Sequence, residues 1–141
     1  MNANLFDILE TGITDPDATA IETAGGQRIS YGDLVARTGR MANALAGLGV
    51  KPGDRVAAQV EKSVQAIILY LATVRAGAVF LPLNTGYTPS EIDYFIGDAT
   101  PAVLACDPAA ADALADAAFT SAGRLGDAAR AAVLSGHTTL E

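Results

Sequence analysis

The sequence predicts an α/β fold: a layered, mostly parallel sheet flanked by helices, with an N-terminal β-hairpin. Three observations carry that expectation. Strand-like and helix-like apolar patterns alternate along the chain, as they do in βαβ units. The segment 78–83 is apolar without a break, which suits a strand covered on both faces of a parallel sheet. The segments are also punctuated by residues that start helices, most clearly Thr88, Pro89 and Glu91.

Leu5, Ile8 and Leu9 fall at helical spacing and predict a short helix over 4–11. Residues 18–23 and 27–31 flank Ala24-Gly25-Gly26, which reads as a hairpin with a short glycine loop. Ser30 stands three residues before Asp33, an approximate capping box with a carboxylate near the helix's positive end. Leu34, Thr38, Met41, Leu45 and Leu48 then mark one helical face, and Gly49 supplies a left-handed stop. Lys51-Pro52-Gly53-Asp54 puts Pro and Gly where a type II turn favours them.

Residues 54–60 read as a strand. Ser63 opens a helix through Ala76, and Val64, Ile67, Ile68, Leu69, Leu71 and Val74 make it apolar on nearly every face. Such a helix is expected to lie buried between layers. Gly77 ends it, and 78–83 completes a βαβ unit. After the Thr88 start, Ile92, Phe95, Ile96 and Ala99 share one stripe; Pro101 breaks it, and 102–106 forms another strand. Asp107-Pro108 caps an Ala-rich helix expected to reach about Phe119. Beyond Ser121 the pattern weakens, with a last helix expected over 125–134 in a frayed tail spanning 121–141.

A chain of 141 residues allows one domain with a real core. No repeat or linker divides it. Half the residues are hydrophobic and 18% are charged, the opposite of a disordered composition. A net charge of −7 excludes general nucleic-acid binding, which needs a basic face. One Cys excludes a disulfide framework and a multi-Cys zinc site. Residues 28–75 hold seven bases against three acids, a mildly basic island in an acidic molecule. It reads as scattered solvated side chains before it reads as an anion site. Gln65, Arg75, Gly77 and Pro82 interrupt 63–83, so no membrane span is expected, and cytoplasm is the default compartment.

Candidate catalytic groups are few. His137, the only His, sits near the tail and anchors no nucleophile–base pair. Cys106 ends an apolar strand and reads as a small core residue, not a thiolate. Asp107, Asp112 and Asp116 fall at helical spacing and read as a solvated acidic face. Neither 24–27 nor 119–123 makes a phosphate loop. The first precedes a strand, and the second lacks the Gly density and the Lys that hold pyrophosphate.

The ordered set Ile29-Ser30-Tyr31-Gly32-Asp33-Leu34, 51–57, 77–84 and 87–95 resembles the N-terminal part of the AMP-forming acyl-CoA synthetases. This adenylate-forming family also includes luciferases and peptide-synthetase adenylation domains. The resemblance runs from about Ala20 to Asp107. Asn84, where adenylation domains usually carry Asp, favours the acyl-CoA synthetase branch. Glu61-Lys62-Ser63, 70–75 and 83–88 are most similar to malonyl-CoA synthetases.

The resemblance implies a two-step ligase using ATP, CoA and Mg, a small carboxylic acid substrate and an acyl-adenylate intermediate, with a place in fatty acid metabolism. It also implies that the Ser/Thr/Gly-rich pyrophosphate loop, the Tyr-Gly-x-Thr-Glu segment, the Thr-Gly-Asp ribose contact and the C-terminal lysine lie outside this sequence. No catalytic or metal-binding residue is therefore carried over. The nearest candidates are Asn84 and Thr85, in the loop that in some relatives approaches CoA through a basic residue. Here Gly86 stands at that place, and Asn84 and Thr85 alternatively serve only to fix the loop.

The chain is thus expected to be an N-terminal subdomain, 1–141, inactive alone and partnered by the remainder of a parent polypeptide. None of ATP, CoA or Mg is expected to bind it tightly. The alternative is a stand-alone, non-catalytic binding or assembly module. Self-association through apolar surface meant for the remainder is a third expectation.

Overall fold

The computed structural model describes residues 3–110 and 130–133. Its first part is α1 (Leu5–Thr11), β1 (Thr19–Glu22), β2 (Arg28–Ser30) and α2 (Tyr31–Gly47). The strand–helix alternation follows: β3 (Arg55–Gln59), α3 (Val64–Arg75), β4 (Val79–Pro82), α4 (Pro89–Ala99) and β5 (Val103–Cys106). A 3-10 turn (Pro108–Ala110) and β6 (Arg130–Val133) complete the described elements. Strands β1 and β2 form the antiparallel hairpin, and the main sheet is parallel throughout in the order β4-β3-β5-β6.

Local chemistry sets the boundaries. Asn4, Ser30 and Ser63 cap α1, α2 and α3, their side chains accepting from the N–H of Phe6, Asp33 and Ala66. Thr88 and Glu91 complete a reciprocal capping box on α4. Gly49 lies just past α2 with φ 92°, a left-handed conformation that favours Gly. Gly53, with φ 87°, forms the type II turn in which Asp54 N–H donates to Lys51 O at 3.0 Å.

The sheet's period of two sorts the core into two layers. Val56, Ala58, Val103 and Ala105 face Leu45 of α2 and Leu69 and Ala72 of α3. Ala57, Leu104 and Cys106 face Ile92 and Ile96 of α4. Helices α3 and α4 thus cover opposite faces, because β4 lies on one side of β3 and β5 on the other, and right-handed crossovers in opposite directions require it. The hairpin joins through Ile29, which packs with Val64 and Ile68.

Arg75 ties the N-terminal helices together. Its Nη1 donates to Val35 O at 3.0 Å and to Thr38 Oγ1 at 3.3 Å, and its guanidinium lies 4.7 Å from the Phe6 ring centre. Asn4 Nδ2 donates to Val74 O at 3.1 Å, fixing α1 against the end of α3.

Three expectations are corrected. Residues 130–133 form a parallel strand, hydrogen-bonded to β5, where a helix over 125–134 was expected; the partner strand overrides a weak local pattern. Helix α3 is not enclosed, since Ile67 and Tyr70 are exposed among the described residues. Nor is 78–83 covered throughout: among the described residues β4 is an edge strand, with Val79 and Pro82 exposed. The Ala-rich segment starts with the 3-10 turn, and the expected helix beyond Ala110 lies outside the described residues. So do most of the 121–141 tail, Asp112, Asp116, 119–123 and His137.

Candidate functional site

Ligands of open parallel sheets gather outside the C-terminal strand ends, where neighbouring connections diverge. In this sheet that is the edge formed by the ends of β3, β4 and β5, and the loop 84–87 sits there. Asn84 Oδ1 accepts from Gly86 N–H at 2.8 Å, closing an Asx turn. The Asn84 carbonyl accepts from Tyr87 N–H at 3.0 Å. Thr85 lies on the exposed outer side of the loop.

The loop is pinned from beneath by a residue that sequence reasoning missed. Gln59, 8% exposed at the end of β3, donates from Nε2 to Asn84 O at 2.9 Å and is 3.5 Å from Tyr87 O. One polar residue at the end of Arg55-Val56-Ala57-Ala58-Gln59 was the only available signal. Downstream, Tyr87 stacks on Phe95 with ring centres 5.0 Å apart, so the loop is held at both ends.

The titratable groups nearby are structural. Thr88 donates to Glu91 Oε2 from its N–H at 2.8 Å and from its hydroxyl at 3.0 Å. Those bonds favour the carboxylate and hold Glu91 below its ordinary pKa. Cys106 is fully buried, and burial, with the neighbouring Asp107 charge second, pushes its thiol pKa up. That matches a core residue, not a nucleophile. The hairpin glycines precede a strand, as expected, and make no helix N-terminal phosphate cradle.

The basic island is largely committed to separate contacts. Arg28 pairs with Glu22 at 3.4 Å and Arg37 with Asp33 at 3.0 Å. Arg55 Nη1 donates to Ala99 O at 3.0 Å, and Arg75 holds the helices. Beside the loop, a groove of about 610 Å³ runs between the hairpin, α3 and β4, with mainly apolar walls and Glu61, Lys62 and Ser63 on its lining.

A sequence profile described as AMP-binding enzyme matches residues 10–135. The chain belongs to the AMP-binding enzyme family. MatB from Rhodopseudomonas palustris, in its apo form, is 54% identical and superposes with a TM-score of 0.86 over 95% of this chain and 26% of its own. Its ATP-bound form is 53% identical, with a TM-score of 0.87 over 99% of this chain and 27% of its own. Feruloyl-CoA synthase from an Amycolatopsis species is 39% identical over 110 residues, 78% of this chain and 22% of that protein. Novobiocin biosynthesis protein H from Streptomyces niveus is 36% identical over 116 residues, 82% of this chain and 19% of its own length. This member of the family therefore spans about a fifth to a quarter of the length of these three relatives. No helix among the described residues is long and apolar enough to cross a membrane.

Proposed function

We propose that the chain is the N-terminal part of an ATP-dependent acid–CoA ligase whose acid is malonate, and that alone it does not catalyse the reaction. The AMP-binding enzyme match over residues 10–135, together with 39% identity to a feruloyl-CoA synthase over 78% of the chain, carries the ligase reading. The similarity of Glu61-Lys62-Ser63, 70–75 and 83–88 to malonyl-CoA synthetases carries the choice of acid. A cytoplasmic place is part of this proposal: with one Cys the chain forms no internal disulfide that would call for an oxidising compartment.

A malonate carboxylate oxygen attacks the α-phosphorus of ATP; the bond to the bridging oxygen breaks and pyrophosphate leaves, giving the acyl-adenylate. The CoA thiol, losing its proton, then attacks the acyl carbon, and the bond to the AMP oxygen breaks. Both steps build negative charge that a dry, preorganised pocket stabilises. The second malonate carboxylate calls for a paired base, for which bidentate Arg is best suited.

This chain's part is architectural. It buttresses the nucleotide-binding portion of the parent, and Asn84 and Thr85, on the loop pinned by Gln59, wall the approach of CoA. Magnesium would balance phosphate charge in the parent reaction. Among the described residues no group of three or more His, Cys, Asp or Glu side chains converges to hold a metal, so no step here runs through it.

The test is thioester formation by the longer polypeptide encoded with this chain, offered malonate, acetate and ferulate separately. Malonate should lead in kcat/KM by about tenfold or more, a difference of about 1.4 kcal/mol. Preference for acetate or ferulate overturns the choice of acid.

A further inference from the structure

The Asx turn after β4 engages the oxygens of Asn84 and leaves its donor. Gly86 N–H meets Oδ1 at 2.8 Å, and an N–H bonds only to an acceptor, so the turn fixes which end of the planar amide lies inward. The backbone carbonyl of Asn84 is taken by Gln59 Nε2 at 2.9 Å and by Tyr87 N–H at 3.0 Å. Among the described residues no acceptor meets Asn84 Nδ2. That NH2 group therefore stands on an exposed residue at the C-terminal edge of the sheet, in an orientation set before any ligand arrives.

The rest of the loop offers a ligand oxygen little else. Gly86 has no side chain, and the Thr85 hydroxyl both donates and accepts, so it selects for neither. The Glu91 carboxylate, bonded to the Thr88 N–H and hydroxyl, closes the N-terminus of α4 to a second anion. Gln59 is 8% exposed and already donates to the loop. An Asp in place of Asn84 would close the same turn through a carboxylate oxygen while presenting a negative acceptor in place of the NH2. The turn alone does not distinguish the two side chains; a ligand oxygen does.

We propose that Asn84 Nδ2 donates to an acceptor oxygen of the incoming CoA, a phosphate oxygen or a pantetheine carbonyl. Asn84 is then a binding residue for the thiol substrate and not only a wall of its path. This rests on reading the chain as part of an acid–CoA ligase. It assigns the contact to the second half-reaction, because adenylation precedes it and involves neither the thiol nor this donor.

The experiment compares Asn84→Asp with Asn84→Ala in the longer polypeptide encoded with this chain. Asn84→Asp keeps the turn and loses the donor, whereas Asn84→Ala loses both and should lower Tm. Asn84→Asp should leave Tm in place, yet raise KM for CoA and the calorimetric Kd of desulfo-CoA about fivefold or more. At low CoA, thioester formation should fall about fivefold relative to pyrophosphate exchange, run with whichever of malonate, acetate or ferulate the enzyme uses best. With pantetheine as the thiol, a persisting penalty assigns the contact to a carbonyl, and its loss assigns it to a phosphate. A loop-fixing role alone predicts that only Asn84→Ala changes KM and Kd, and that result would overturn the inference. So would thioester formation and exchange falling together in Asn84→Asp. Exchange by the unsubstituted polypeptide with no binding of desulfo-CoA sinks this inference and leaves acid adenylation standing; no exchange with any of the three acids sinks both.

Discussion

Gln59 Nε2 donates to the Asn84 carbonyl at 2.9 Å, joining the end of β3 to the loop that follows β4. The bond crosses between neighbouring parallel strands and holds both candidate site residues on one rigid support. Replacing Gln59 with Leu keeps the volume and removes the donor. The expected loss is about 1–2 kcal/mol of folding stability, read by urea denaturation, with faster amide exchange at Tyr87. Gln59→Glu should cost more, because a carboxylate cannot donate and faces two carbonyl oxygens.

Arg75 and Phe6 should be energetically coupled. Arg75→Met removes the bonds to Val35 and Thr38 and the cation over the ring, while Phe6→Leu removes the ring alone. A double-mutant cycle on Tm should return a coupling of about 0.5–2 kcal/mol. Additive effects would show that the ring and the guanidinium merely lie side by side.

Acid should weaken the start of α4. The N–H and hydroxyl of Thr88 lower the Glu91 pKa in the folded state. The stability this contributes is present above the unfolded carboxylate pKa, about 4.3, and is lost as pH falls through the lower folded value. Melting curves from pH 6 to pH 3 should fall less steeply for Glu91→Gln than for the unsubstituted chain.

The Cys106 thiol should resist alkylation. Burial and Asp107 raise its pKa, so less thiolate exists at pH 8 than in an unfolded chain. Iodoacetamide should label it at least tenfold more slowly than in urea-unfolded chain. The favoured neutral thiol contributes stability below the unfolded thiol pKa, which is lost as pH rises through the raised folded value.

What could be read from the sequence was what neighbouring residues decide. Ser30, Ser63 and Thr88 announced their helices because a cap acts within three residues. The loop at Asn84 was reached through the family resemblance, and the Asx turn that closes it emerged only in the structure. Strand β6 was not legible, since Arg130-Ala131-Ala132-Val133 has one β-branched residue and takes its state from β5. Arg75 looked like an interruption of an apolar run because its hydrogen-bond partners lie 37 and 40 residues away. Gln59 was hidden by the same distance effect. The open side of α3 was hidden by its composition, which spoke for burial without saying what would cover it.

Malonate-dependent exchange of labelled pyrophosphate into ATP tests the central claim most directly, run on the mass-verified 141-residue chain and on the longer polypeptide encoded with it. The account predicts no exchange above background from the chain alone and robust exchange from the longer polypeptide. Robust malonate-dependent exchange by the chain alone, or none by the longer polypeptide, would contradict it.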